Sequence, residues 1–475
     1  MQTNFSYLDI SNAGISDSVP ITFWNPLSSK LGHLDMSHNQ FYGSISNLTF
    51  KSEFLTDIDL SFNHFTREIP SVFTDGFSLY LNDNMFSDAF YILCPETELL
   101  LEQLDLSNNL LSGALPDFWT NFGHLLSLHL ENNRFSGNIP KSIGTIQSLQ
   151  YLHLNNNTFS GSFPTSMKNC TSLLILYLGY NSFTGYIPSW VGNVFPNLGA
   201  LILRKNNFLG ELPVSLCQLS DLQILDLAFN NISSNIPKCV RNLASMGQKG
   251  DISLYFDTAV SNVGYQPVST EHESAIVTWK NEEQMFKNSL GLVKLIDLSY
   301  NLFHGNIPDE ISYLAGLVSL DLSGNNLSEN IPSEIGNLIG LELLDLSNNH
   351  LTSEIPVSLS KVTNLGILDL SNNDLSGEIP KSTQLQSFDA VSYTGNAGLC
   401  GAPLPKCLKD QAAPANVLNE DERDDFDVFP GLYISVVLGV IVGFWAFCGT
   451  LVIKTSWRHA YFRLLDNIKD KVLCC

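Results

Sequence analysis

Apolar and polar positions along this chain repeat as one unit. Residues 341–356 show it clearly: Leu-Glu-Leu-Leu-Asp-Leu-Ser-Asn-Asn-His-Leu-Thr-Ser-Glu-Ile-Pro. Leu341, Leu344 and Leu346 mark a short strand whose leucines point inward. Asn349 turns the chain, and its amide can bond the backbone of neighbouring coils so that polar groups buried at the turn are satisfied. Leu351 and Ile355 fill the interior on the other side, and Pro356 sets a rigid outer corner. The marker asparagine recurs at 39, 63, 84, 109, 133, 157, 181, 206, 230, 301, 325, 349 and 373, and a degenerate first copy has Ala13 there. Most spacings are 24 or 25 residues, a period that predicts a solenoid. One coil cannot bury its own apolar face, but stacked coils share a continuous core. At about 4.8 Å per strand, fourteen coils give a parallel sheet on the order of 65 Å long.

The breaks in the pattern divide the chain. Residues 1–245 hold about ten coils; the step from Asn63 to Asn84 is short, and Phe90-Tyr-Ile-Leu-Cys-Pro lacks the usual Ile-Pro. From Asn230 to Asn301 the spacing jumps to 71, which leaves an insert at 246–289. Within it Ile252-Ser-Leu-Tyr-Phe256 and Ser274-Ala-Ile-Val-Thr-Trp279-Lys read as short strands. Inserts in solenoids map to loops on one face and often serve binding. Four regular coils fill 290–380. A terminator at 381–409 carries Cys400 and Cys407, which read as a disulfide closing the open end of the stack. An acidic stalk follows at 410–430. Residues 431–453 are 23 in a row without a charge, long enough to span a bilayer. The basic tail at 454–475, set against the acidic stalk, places the tail in the cytoplasm.

Charge and cysteine usage narrow the setting. A formal charge of −23 argues against nucleic acid as a partner. Six of the nine cysteines precede residue 410, as expected of an oxidising compartment outside a membrane. Cys217 and Cys239 fall at nearly the same phase of consecutive coils and are close enough in phase to be stapled, whereas Cys94 and Cys170 lie three coils apart and read as buried thiols. Sequons at Asn4, Asn47, Asn156, Asn169, Asn231 and Asn326 are compatible with glycosylation in a secreted chain, although this composition produces about that number by chance. The chain enters a repeat at its first residues with no signal peptide and no cap. It therefore reads as truncated at its N-terminus, or else as a short form with a frayed first coil.

Leu375-Ser-Gly377-Glu-Ile379-Pro380 and its counterparts resemble the plant-type leucine-rich repeat. The resemblance implies a solenoid with a parallel β-sheet on the concave face and short 3-10 or irregular segments on the convex side, here followed by one transmembrane helix. Repeats, island, four further repeats, cysteine cap, acidic stalk, single span and short tail together resemble the plant receptor-like proteins, which are cell-surface receptors without a kinase. Residues 277–297, from Val277-Thr-Trp279-Lys280 to Leu-Ile-Asp297, look like the island exit of the group that includes the fungal ethylene-inducing xylanase receptors. The resemblance implies defence or developmental perception at the plasma membrane, in a single-pass type I orientation. It also implies two partners: a co-receptor kinase docked by the repeats at 290–380, and an adaptor receptor kinase held through the membrane span.

The candidate residues follow from the strand pattern. Alternate strand positions are expected to face solvent on the concave side. In the last four coils these positions are a monotonous Asp/Ser pair, Asp297/Ser299 to Asp369/Ser371. In the middle coils they are Tyr80, His129, Glu131, Tyr151, His153, Tyr177, Ile202 and Arg204, a stripe suited to a ligand; Trp279 joins it from the island. In the span, Gly439 and Gly443 form a GxxxG that allows close helix packing. Tyr461 and Leu464 match a Tyr-x-x-apolar endocytosis signal, but they also lie on one face of a basic amphipathic helix, which is the better supported reading. Two function classes fit: a receptor signalling through partner kinases, or a non-signalling decoy or inhibitor of a secreted enzyme. The span favours the first. No nucleophile–base pair or metal-ligand cluster shows in the sequence, so no enzyme, metal or cofactor is expected.

Overall fold

The computed structural model of the chain describes residues 6–24, 31–45, 55–70, 76–87, 98–248, 275–279, 282–286 and 293–407. They belong to one compact unit, Met1–Asp410; all of a second unit, Gln411–Cys475, lies outside the described residues. The stalk, the span with Gly439 and Gly443, and the tail with Tyr461 and Leu464 are in that second unit, and Asn4, Asn47, Cys94 and Ile252–Phe256 also lie outside. Among the described residues no helix is long and apolar enough to cross a membrane.

Three-residue strands stack into a 14-stranded parallel sheet, the concave face of such a solenoid. Each strand carries one residue inward: Leu128, Leu152, Leu176, Leu201, Leu320 and Leu344 are fully buried. The sheet runs through the insert without a gap, because Ile224, Leu225 and Asp226 pair directly with Leu295, Ile296 and Asp297. Beyond each strand the chain turns and forms a second layer of three-, six- and five-stranded parallel sheets. That layer breaks where the sequence pattern breaks, at the irregular coil after Phe86 and at the insert. Short 3-10 segments such as Lys141–Thr145, Thr165–Asn169, Val214–Gln218 and Val357–Lys361 return the chain, each preceded by a proline whose fixed φ makes the corner. Inside, Phe135, Phe159, Phe183 and Phe208 stack in file with ring centroids 6.1 to 6.3 Å apart.

The asparagines hold the coils in register. Asn349 Nδ2 donates to the carbonyls of Leu322 (2.9 Å), Leu346 (3.2 Å) and Ser347 (3.2 Å), and its Oδ1 accepts from Leu327 N at 3.0 Å. One side chain thus satisfies a donor and three acceptors across two coils, none of which could reach water. The ladder extends one rung past the last repeat. Asn396, in the terminator, bonds Leu370, Tyr393 and Leu375 in the same way. Tyr393 Oη donates to Leu385 O at 2.6 Å and closes the end beneath the Cys400–Cys407 disulfide. Cys217 and Cys239 are also bonded, with Cα atoms 5.7 Å apart, and Cys170 is a buried free thiol.

The insert is rooted later than the period of the repeat indicates. Met246 is fully buried in the main core, and its carbonyl accepts from Gly316 N at 2.9 Å. Lys294 Nζ donates to Gln248 O at 2.8 Å, so the coil after the insert clamps the chain before it. Gly316 is needed at the clamp, because a Cβ there would collide with the carbonyl of Gln248. Ala275–Trp279 pairs antiparallel with Glu282–Phe286 to form a hairpin within the insert.

Candidate recognition surface on the concave face

Most concave strands end in the same local device. In Asp-x-Ser, the Asp Oδ1 accepts from the Ser backbone N at 2.8 to 3.0 Å; the pairs are Asp9/Ser11, Asp35/Ser37, Asp59/Ser61, Asp105/Ser107, Asp297/Ser299, Asp321/Ser323, Asp345/Ser347 and Asp369/Ser371. The carboxylate is spent on its own turn. Between residues 129 and 204 the device is replaced by His129-x-Glu131, His153-x-Asn155, Tyr177-x-Gly179 and Ile202-x-Arg204. These four coils give up a local stabilising bond and present large or charged groups instead.

Their side chains are not where alternation alone puts them. Tyr151, His153, Tyr177, Ile202 and Arg204 are all buried, as is His129, whereas the sequence reading has this stripe facing solvent. The physical reason is a second apolar cluster, separate from the main core. Tyr151, Ile175, Tyr177, Ala200, Ile202, Ile224, Val293 and Leu295 pack together along the concave face, with Leu174 against them. In-register neighbours sit one strand spacing apart, so large apolar groups in one column cover each other. Gly179 makes room: a Cβ there would stand 2.8 Å from the Tyr177 ring and 3.2 Å from Arg204. Tyr80 is half-buried five strands before the cluster's centre, and Trp279 ends the insert's first strand; the described geometry brings neither to the cluster.

Charge gathers beside the cluster at two places. At its middle coil Arg204 Nη1 donates to Asp226 Oδ2 at 2.8 Å and lies 3.8 Å from Asp297 Oδ2. Two carboxylates face one guanidinium, so one of them lacks a counter-charge. Burial and then the Asp297 carboxylate push Asp226 up to about 7 against the pull of Arg204. Burial also raises Asp297, Asp321 and Asp345, its neighbours in the same column. A raised carboxyl binds its proton more tightly in the folded than in the unfolded chain, so stability is highest below the unfolded value near 4 and is lost as pH rises through the folded one. The melting temperature is therefore expected to fall from about pH 4 to about pH 7, and Asp226→Asn to flatten that slope. Thermal unfolding followed across the pH range by circular dichroism checks both.

At the second place three groups that the sequence separates come together. His129 and His153 lie 24 residues apart, one repeat, so they are register partners on adjacent strands. Their ring centroids are 4.4 Å apart. His129 Nδ1 is 3.4 Å from Glu131 Oε1, and one ligating atom from each of His129, Glu131 and His153 lies within 4.8 Å of the others. This corrects the expectation of no metal-ligand cluster. The signal was visible in the sequence, since histidines one period apart become neighbours in any solenoid.

The edge of the surface holds residues that the strand pattern does not single out. The position before each ladder asparagine is left-handed, and Asn108, Asn132, Asn156, Asn348 and Asn372 tolerate that conformation. Tyr180, Lys205, Phe229 and Tyr300 occupy the same position beside the cluster. Phe229 and Tyr300 stack at 4.5 Å, and Lys205 Nζ sits 4.5 Å from the Tyr180 ring centroid. Bulky residues at positive φ carry a conformational cost, and Phe62, stacked on His38 at 4.2 Å, carries the same cost away from the cluster. Among the sequons, Asn156, Asn169, Asn231 and Asn326 are exposed.

The Leucine Rich Repeat family matches at residues 54–75, 100–122, 124–146, 148–170, 172–194, 221–243, 316–338, 340–362 and 364–385. The tomato (Solanum lycopersicum) receptor-like protein EIX2 is 50% identical over an alignment covering 99% of this chain and 46% of EIX2. Tomato receptor-like protein EIX1 is 62% identical over 200 residues, covering 40% of this chain and 19% of EIX1. The chain thus spans about half the length of the first relative and about a fifth of the second. Among solved structures, the Arabidopsis receptor kinase HAESA, in complex with the peptide hormone IDA and the co-receptor SERK1, superposes with a TM-score of 0.59 at 28% identity, covering 84% of this chain and 66% of HAESA.

Proposed function

We propose that this chain, which belongs to the plant leucine-rich-repeat receptor-like proteins, is the recognition half of a cell-surface receptor. It takes an extracellular peptide or protein elicitor on its concave face and signals through partner receptor kinases. One observation carries the reading: the apolar cluster from Tyr151 to Leu295 lies on the concave face and overlaps the coils from Tyr151 to Arg204 in which the Asp-x-Ser device is abandoned. Ordinary folding needs neither the second cluster nor the loss of the turn bond. The cluster itself is buried and serves as a platform; the aromatic rings exposed on its rim, Phe229 and Tyr300, are what a protein ligand can contact. The peptide and co-receptor bound to HAESA support the same division of labour, with the regular coils at 290–380 docking a co-receptor.

In this reading residues 431–453 cross the plasma membrane, and Gly439 and Gly443 pack against an adaptor kinase with a matching small-residue stripe. The alternative, a decoy, binds the same ligand but recruits nothing. Immunoprecipitation from leaf membranes before and after treatment with a fungal xylanase separates them. The receptor reading expects a receptor kinase in the precipitate, lost in Gly439→Leu with Gly443→Leu while surface delivery and xylanase binding persist. Xylanase binding with no kinase at any time is the decoy's result.

A further inference from the structure

We propose that His129, Glu131 and His153 form a binding site for a divalent late transition-metal ion, zinc above all, on the concave face. Two imidazoles and one carboxylate are a donor set that zinc takes readily. Two buried polar atoms of these three residues have no hydrogen-bond partner: Nε2 of His153, on a residue 1% exposed, and Oε2 of Glu131. Buried groups of this kind ordinarily have partners, and a bound ion is one thing that supplies them. The contact between His129 and Glu131 points the same way. At 3.4 Å, Nδ1 and Oε1 are beyond the usual 2.7–3.2 Å range of an N–H···O bond. They are close to the edge of a tetrahedron with bonds of 2.0–2.1 Å, about 3.3 Å.

The surroundings favour the ligating form of His129. His129 Nε2 lies 2.8 Å from Ser127 Oγ. When Nε2–H donates to that hydroxyl, the Nδ1 lone pair is left facing Glu131, the outer-shell arrangement that orients most metal-bound histidines. Three protein ligands leave a coordination position open. A carboxylate or imidazole of an extracellular ligand can complete the shell, which would anchor it beside the first coil of the cluster.

The site is independent of the identity of any ligand and is tested without one. The untagged full chain, purified in detergent and stripped with chelator, is titrated with Zn²⁺ by calorimetry and with Co²⁺ by visible absorption. The expected result is one saturable equivalent. His153→Gln should weaken binding by more than the ~10–100-fold that loss of an outer-shell partner costs, and Glu131→Gln should shift the Co²⁺ band. The circular dichroism of both variants should match the parent. Should His153→Gln fail to fold, Glu131→Gln at the less buried ligand decides alone. No one-equivalent binding by the parent, or an unchanged affinity or Co²⁺ band in the variants that fold, overturns the site.

Discussion

Asn325→Leu is expected to remove most of the chain from the folded pool. Asn325 Nδ2 donates to Leu298 O, Leu322 O and Ser323 O at 3.0 to 3.1 Å, and Oδ1 accepts from Phe303 N at 2.9 Å. The residue is buried, so leucine leaves one amide and three carbonyls short of a partner with no water to replace it. At about 1–3 kcal/mol for an unsatisfied buried group, a loss on the order of 4 kcal/mol follows even if the coil relaxes. That is a large share of the stability of an ordinary domain. Because each coil contacts only its neighbours, the damage should begin locally, with faster hydrogen exchange over residues 298–327. His350→Ala, on an exposed side chain whose contact with Asp374 is 3.9 Å, should change stability by less than about 0.5 kcal/mol. Urea unfolding of the two variants beside the parent measures the difference.

Phe229→Ala with Tyr300→Ala is expected to cost about a hundred- to a thousandfold in elicitor affinity while the solenoid stays folded. Both rings stack on each other at the exposed rim beside the cluster, 39% and 51% exposed, so their removal leaves the stacked leucines and the asparagine ladder in place. Truncating an aromatic anchor typically costs about 2 kcal/mol or more, and two such losses correspond to about three decades when they add. Binding of fungal xylanase to the immobilised chain, with the melting temperature as the control for folding, is the measurement. Unchanged affinity in a folded double variant places the ligand elsewhere.

The solenoid was legible because one physical requirement recurs in every coil. Leu, Leu, Asn and Pro at fixed offsets solve burial, turn satisfaction and corner geometry, and the structure shows each in use at Leu344, Asn349 and Pro356. Among the described residues one disulfide joins Cys400 and Cys407, paired by their position at the end of the stack, and another joins Cys217 and Cys239, whose phase left a staple open. What was not legible depends on neighbours one period away. Alternation says which face a side chain takes, but not whether Ile175 and Ile202 beside Tyr177 bury it. Likewise Asn396 continues the ladder without the leucine pattern that precedes the other rungs, and Met246 looks like the start of an insert although its side chain is core. Reading the sequence in columns spaced by the repeat, not only along each strand, would have brought His129 beside His153 and shown where Asp-x-Ser stops.

Hydrogen exchange of the purified chain with and without xylanase tests the central claim most directly. Slowed exchange is expected in the concave strands Tyr151–His153, Ile175–Tyr177, Ala200–Ile202 and Ile224–Asp226 and in the turns that follow them. The second-layer strands Arg134–Gly137, Thr158–Gly161 and Ser182–Gly185 of the same coils should be unchanged. Protection confined to that second layer or to the 3-10 segments would contradict the assignment of the concave face as the recognition surface.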